Sequence, residues 1–187
     1  NRHGLDATVA KGAAEVTDGL RDPDQWAIDV HKQSLVVELH SDIHLDVIRQ
    51  RGRGMKRVLE RRHLPRWRDG HVDAVILNTL PRLGPQAHPY WTTPVHNLLL
   101  TIDAIYQEIS ESSQHFLHVR EPNDIRQAHK QGKVGLLMGV EGSEAAVNDL
   151  GFVRCFYRLG LRIMNLTWHQ RNLVADGVAE RSNAGLS

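Results

Sequence analysis

The segment that most constrains the fold is residues 134–140, an apolar run with internal glycines that ends in a single carboxylate, Glu141. A short apolar run bounded by glycines predicts a strand that is buried on both faces of a parallel sheet. In α/β folds, ligands and catalytic groups gather at the carboxyl ends of strands. Glu141 is therefore a candidate site residue, although a carboxylate at a strand end also commonly caps a helix or forms an ion pair.

Three further segments have the composition of strands: residues 35–39, 72–78 and 161–167. Helical patterns separate them, and the longest begins at Thr93-Pro94 and carries apolar residues at spacings of three and four. This alternation predicts parallel βαβ units. A (β/α)8 TIM barrel has eight strands and about 250 residues. The sequence therefore predicts an α/β fold containing about the first four βα units of a barrel, an incomplete barrel over residues 35–187 after a lead-in over residues 1–34.

Composition excludes several classes of protein. The chain has 187 residues, of which 41% are hydrophobic, enough for a sizeable core, and its net charge is +1. That balance argues against a protein built to bind nucleic acid or a membrane surface. No apolar run is long enough to cross a membrane, and residues 1–19 lack the apolar core of a signal peptide, so we expect no membrane span and a cytoplasmic location. The single cysteine, Cys155, cannot form an internal disulfide and is predicted to be a packed, inert thiol.

Residues 49–68 form the one strong charge run, rich in arginine and with a single acid, Glu60. Such a run usually forms a solvated surface, which is the reading the sequence favours. A nucleic-acid footprint is the alternative. It lacks interleaved aromatic side chains apart from Trp67.

A second strand end also carries polar groups, because His40 and Asp42 follow residues 35–39. Side chains two residues apart lie on the same side of an extended strand. Imidazole together with carboxylate suits zinc or a similar divalent ion, and a carboxylate from another strand could bridge two ions. The chain contains a competing triplet, His44-Leu45-Asp46, which lies farther past the predicted strand end.

These segments together resemble the membrane dipeptidase family (renal dipeptidase-like, peptidase M19). Val-Glu-Leu-His-Ser-Asp-Ile at 37–43 is similar to its first metal-binding strand, and Gly-Val-Glu-Gly at 139–142 is similar to its bridging-glutamate strand. The resemblance continues through a helix, a strand and a loop, at residues 150–162, 165–167, 172–177 and 185–187. It spans roughly residues 35–187, with the motifs in the family's order.

The resemblance implies a metal-dependent dipeptidase on a (β/α)8 barrel with two zinc ions. His40 and Asp42 would bind one ion, and Glu141 would bridge both and act in catalysis. A metal-bridged hydroxide would attack the amide of a dipeptide or similar small substrate. The family's substrate-contacting histidine falls at Trp168, so the substrate role passes to His169, one residue later. Glu38 stands where the family usually has aspartate.

The remaining family ligands come from later strands of the barrel. We therefore expect this chain to be the N-terminal half of a longer hydrolase and to have little or no activity by itself. Exposed strand edges of a half-barrel favour pairing with another chain, a homodimer included. The alternatives are a non-catalytic half-barrel that acts in binding or assembly, and a nucleic-acid-binding module that uses residues 49–68.

Overall fold

The computed structural model of this protein describes residues 23–79, 93–146, 149–182 and 184–186. The chain divides into two compact units, Asn1–Leu35 and Val36–Ser187. In the first unit, helix α1 spans Pro23–Gln33. Residues 1–22 of the predicted lead-in and residues 80–92 lie outside the described residues.

The second unit is built on a parallel sheet of five strands. They are β1 (Val37–Ser41), β2 (Ala74–Thr79), β3 (Phe116–His118), β4 (Val134–Val140) and β5 (Leu161–Met164). β1 pairs with β2, and β2 pairs with β4 over the whole length of both strands. The other edge of β4 is shared, because β3 pairs with its first half and β5 with its second half.

This topology confirms the predicted parallel α/β fold. The four predicted strands correspond to β1, β2, β4 and β5, which follow one another across the sheet as successive strands of a (β/α)8 barrel do. The sequence prediction missed β3. Three residues are too few to show a two-residue period, and their strand conformation depends on pairing with β4.

Helices connect the strands. They are α2 (His44–Arg51), α3 (Leu64–Asp69), α4 (Pro94–Glu111), α5 (Pro122–Lys130) and α6 (Leu150–Arg158), with a π-helical turn at Leu59–His63 and a 3-10 turn at Glu144–Ala146. The start of α4 follows from its sequence, since the Thr93 hydroxyl accepts from the His96 backbone N–H at 3.3 Å and proline occupies the first turn. No helix among the described residues combines the length and the apolar character needed to cross a membrane.

The core lies between the sheet and its helices. All six residues of β2 are buried, as are all but one of β4, which agrees with strands covered on both faces. In helix α6, Phe156 is buried, but Phe152 and Cys155 are exposed. A nine-residue helix beside the edge strand β5 has few neighbours, and only Phe156 reaches the core. Cys155 is therefore not the packed thiol that the sequence suggested.

Most of the arginine and lysine side chains of residues 49–68 are exposed, whereas Val58, Leu59, Leu64 and Trp67 are buried. The Arg51 side chain is 15% exposed and pairs with Glu108 and Glu111 of α4. Glu108 is fully buried and accepts from Arg51 Nη1 at 2.5 Å and from the Leu59 backbone N–H at 2.8 Å. This carboxylate joins α2 and the π-helical turn to α4.

One prediction arises from His118 at the end of β3. Burial, reinforced by the charge of Arg120, lowers the pKa of His118 from its ordinary value of 6.5 to about 4. The ring packs edge-on against Tyr106, with 5.1 Å between centroids, and Nδ1 accepts from Arg120 Nε at 3.3 Å. Between the two pKa values the unfolded chain binds more protons, so the free energy of unfolding should fall as the pH drops from about 6.5 to about 4.

His118→Gln should remove this part of the pH dependence, as measured by urea unfolding at several pH values. The control is His31→Gln, which changes an exposed histidine in α1 and should leave the slope as it is. An unchanged slope in His118→Gln would show that another group causes the acid destabilisation.

Candidate metal centre

The carboxyl end of β1 is reshaped by a bulge. Val37 and Glu38 pair with Ala74 and Val75, but the next pair is Ser41 with Leu77, so β1 contains one extra residue. Bulges bend a strand and redirect its side chains. Ser41 is buried, whereas His40 and Asp42 are exposed at the edge of the sheet. Asp42 lies beyond the strand, in the turn before α2, so strand periodicity alone does not explain how it meets His40.

Glu141 directly follows β4 and is held by its neighbours on both sides. Its backbone N–H donates to Thr79 O at 2.9 Å, which extends the β2–β4 pairing by one residue. The chain then turns at Gly142, whose φ of +100° favours glycine. Ser143 donates to Leu166 O from its backbone N–H at 3.1 Å and from its hydroxyl at 2.8 Å. These bonds fix the exit of β4 between β2 and the segment after β5.

The three candidate ligands meet at this edge. His40 Nε2 lies 3.6 Å from Asp42 Oδ1 and 3.9 Å from Glu141 Oε2, and one ligand atom from each residue lies within 4.8 Å of the others. Among the described residues, this is the one such group of three or more histidine, cysteine or acidic side chains. Glu141 forms its base, with 13% of the side chain exposed, while His40 and Asp42 are about half exposed.

The distances fit a shared ion better than direct hydrogen bonds, which are shorter than about 3.2 Å. Two donors at about 2.1 Å from one tetrahedral zinc ion are roughly 3.4 Å apart, close to the separations in this cluster. One imidazole and two carboxylates are also a donor set that zinc accepts, with a fourth position left for water. The residues therefore fit a divalent metal ion.

The competing pair, His44 and Asp46, does not assemble. Asp46 accepts from Arg62 Nε at 2.7 Å and from Gln50 Nε2 at 3.1 Å, and its carboxylate lies 2.9 Å from His63 Nε2. Desolvation opposes ionisation of Asp46, but these hydrogen bonds outweigh it and lower its pKa to about 2. His44 is fully buried, and burial lowers its pKa to about 4. The Asp46 carboxylate is therefore engaged by Arg62, Gln50 and His63.

Glu38 and His169, which the family resemblance singled out, are not part of the cluster. Glu38 accepts from Trp67 Nε1 at 3.1 Å and so contacts the helical layer. His169 is exposed, its ring stands edge-on to Trp168 with 4.1 Å between centroids, and its carbonyl accepts from the Ala179 backbone N–H at 2.8 Å. The structure thus brings together His40, Asp42 and Glu141 but not His169.

Sequence reasoning missed one residue that touches this cluster. Asn78 on β2 is 3% exposed, and its Nδ2 lies 3.1 Å from His40 Nδ1. The available signal was a polar side chain inside an otherwise apolar strand, since buried polar groups need hydrogen-bond partners.

Comparison with known proteins decides the family. The model of the family described as membrane dipeptidase, peptidase family M19, matches residues 25–187. This chain belongs to the membrane dipeptidase family. The family is one of dipeptidases. The described residues of this chain contain the His40, Asp42 and Glu141 cluster, whose donors suit a metal ion.

Individual relatives of this M19 chain cover it to different extents. Dipeptidase verJ of Clonostachys rogersoniana is 35% identical over 75 residues, which are 40% of this chain and 19% of that protein. An amidohydrolase from Pseudomonas aeruginosa has a TM-score of 0.63 at 26% identity, over 86% of this chain and 42% of its own. A metallopeptidase from Rhodobacter sphaeroides, solved with a phosphinate mimic of the dipeptide L-Ala-D-Ala, has a TM-score of 0.65 at 20% identity, over 77% of this chain and 48% of its own.

The M19 chain therefore spans less than half of the length of these relatives. The structural matches show that its sheet and helices correspond to part of a TIM-barrel hydrolase.

Proposed function

We propose that this chain carries the N-terminal part of a zinc-dependent dipeptidase site, with His40, Asp42 and Glu141 as metal ligands. The observation that carries the proposal is the convergence of these three side chains from β1 and β4 at the carboxyl edge of a parallel sheet. Active sites of (β/α)8 enzymes lie at this edge. Family membership supports the same reading.

Each ligand has a role that follows from its position. Glu141 is the most buried of the three and is anchored by its backbone bond to Thr79. It would be the ligand shared by two ions, as the family resemblance implies. His40 and Asp42 are half exposed and would bind one of these ions. When bound, a divalent ion lowers the pKa of water and polarises a carbonyl, the two effects that amide hydrolysis needs. His169 is proposed to contact the substrate, in line with its position after β5.

We further propose that the 187-residue chain binds zinc but hydrolyses dipeptides slowly or not at all. The described residues supply one cluster with three donors. Three donors and a water complete one tetrahedral ion, and a second ion would need ligands from elsewhere.

The test is metal analysis together with a hydrolysis assay on the purified chain. We expect about one zinc per chain after dialysis, lost in His40→Ala and retained in His31→Ala, a matched change of an exposed histidine. The assay should use a panel of dipeptides that includes L-Ala-D-Ala, because the Rhodobacter relative was solved with a mimic of it. No zinc bound by the wild-type chain would refute the metal site, and hydrolysis at rates typical of enzymes, above about 1 per second, would refute the proposed low activity.

A non-catalytic half-barrel that acts in binding or assembly is the second candidate. The small number of donors in the described residues favours it. It predicts that the wild-type chain binds no zinc and that His40→Ala therefore changes nothing. The same metal analysis separates the two candidates.

A further inference from the structure

Asn78 is a buried amide that serves no evident packing purpose. It lies near the end of β2, and all four residues before it in the strand, Ala74–Leu77, are apolar. Its Nδ2 is 3.1 Å from His40 Nδ1, and its Oδ1 is buried without a hydrogen-bond partner among the described residues. A buried polar atom without a partner destabilises the fold, so its retention in a core strand needs a reason.

The neighbouring strand leaves room for this amide. Gly139 of β4 is the register partner of Asn78. A Cβ atom at Gly139 would lie 2.9 Å from Asn78 Oδ1 and 3.2 Å from Ile76 Cγ2, both too close for ordinary contact. The hydroxyl of Thr79 donates to Gly139 O at 2.7 Å and holds the two strands in this register. The glycine therefore provides the space in which the amide of Asn78 stands beside the His40 ring.

The amide can pair with either neutral form of the imidazole. With Nδ2 donating to Nδ1, the ring proton is on Nε2, which faces Asp42 Oδ1 at 3.6 Å and Glu141 Oε2 at 3.9 Å. A ring that binds a metal through Nε2 must instead carry its proton on Nδ1, which then needs an acceptor. Turning the Asn78 amide by half a turn places Oδ1, now without a partner, opposite that proton.

We propose that Asn78 is a positioning residue for His40. Its amide holds the ring in place and, in the metal-binding form, Oδ1 accepts a hydrogen bond from Nδ1–H, so that Nε2 faces Asp42 and Glu141 with a free lone pair. The inference rests on the proposed function, since it takes His40 to be a metal ligand. It adds a hydrogen-bond partner for His40 that comes from β2, the strand between β1 and β4.

The first test is zinc affinity, measured by competition with a chromogenic chelator. Asn78→Leu keeps the size of the side chain but removes its polar atoms, and should weaken binding about 10–100-fold. Asn78→Asp keeps an acceptor and should bind at least as tightly as the wild type. Thr101→Val removes a buried hydroxyl from α4 and controls for the loss of an internal hydrogen bond. Equal affinities of Asn78→Leu and wild type, or an Asn78→Asp chain as weak as Asn78→Leu, would overturn the proposal.

The second test uses the nitrogen-15 shifts of the His40 ring and does not depend on activity. In the metal-free wild type we expect the proton on Nε2, and in Asn78→Leu an exchange between both tautomers. In the zinc-loaded wild type we expect the metal on Nε2 and the proton on Nδ1. Identical metal-free shifts in the two proteins, or zinc on Nδ1, would overturn the proposal.

The two tests separate the failure of this inference from failure of the proposed function. A wild-type chain that binds no zinc refutes the metal site, and the metal-free shifts then still decide whether Asn78 fixes His40. If Asn78→Leu does not fold, the inference can still be tested on the wild-type chain alone. A nuclear Overhauser contact between the Asn78 amide protons and the His40 ring supports the inference, and its absence overturns it.

Discussion

Glu141→Gln is expected to weaken zinc binding by the 187-residue chain about 100-fold or more. Glutamine keeps the shape of the side chain but removes the negative charge that a divalent ion requires. Glu141 is the most buried of the three candidate ligands, so solvent screens its charge least. Loss of a group that only supports a ligand costs 10–100-fold in affinity, and loss of the ligand itself should reach at least the upper end of that range.

The affinity is best measured by competition with a chelator, with the metal content of the dialysed protein determined in parallel. Glu121→Gln is the matched control, because Glu121 caps α5 through an oxygen that glutamine retains. Zinc binding by Glu141→Gln within about threefold of the wild type would remove Glu141 from the proposed ligand set. Loss of zinc in Glu121→Gln as well would instead indicate a general effect on folding.

Glu108→Ala is expected to lower the free energy of unfolding by roughly 3 kcal/mol. Its side chain is fully buried and accepts from Arg51 and from the Leu59 backbone N–H. Removing one partner of a buried ion pair leaves the other uncompensated and typically costs about 3–5 kcal/mol. We expect the lower end because Arg51 keeps its second partner, Glu111, at 3.0 Å.

Urea unfolding at neutral pH measures this loss. Asp103→Ala, on the exposed face of the same helix, should change stability by less than about 0.5 kcal/mol. Glu108→Gln should fall between the two, since its amide oxygen still accepts from Leu59. A Glu108→Ala chain that unfolds within about 1 kcal/mol of the wild type would show that the buried carboxylate is not needed. Zinc affinity should be unchanged in Glu108→Ala under conditions where it remains folded, because Glu108 lies outside the metal cluster.

Local patterns in the sequence were sufficient for the main strands and for the position of the candidate ligands. The apolar run at 134–140 is β4, and Glu141 follows it directly. His40 lies in β1 and Asp42 directly follows the strand, which ends at Ser41, two residues later than predicted. These features are readable because burial on both faces demands a continuous apolar run, and because polar side chains at parallel strand ends must meet at one edge.

Features that depend on a distant part of the chain could not be predicted from local sequence patterns. β3 exists because β4 offers it a pairing edge, and the bulge in β1 exists because β2 sets its register. Cys155 is exposed because α6 lies beside an edge strand, which an apolar pattern along the helix does not reveal.

The sequence by itself determined that a histidine and two carboxylates would lie at the carboxyl edge of a parallel sheet, since strand pattern and strand order follow from residue type and spacing. The sequence also favoured His40 over His44, but only the tertiary structure gave the distances by which His40 meets Glu141 and the partners that engage Asp46. The tertiary structure also decided that the Asn78 amide contacts His40 Nδ1. That contact joins two strands across 38 positions of the chain and requires the absence of a side chain at Gly139.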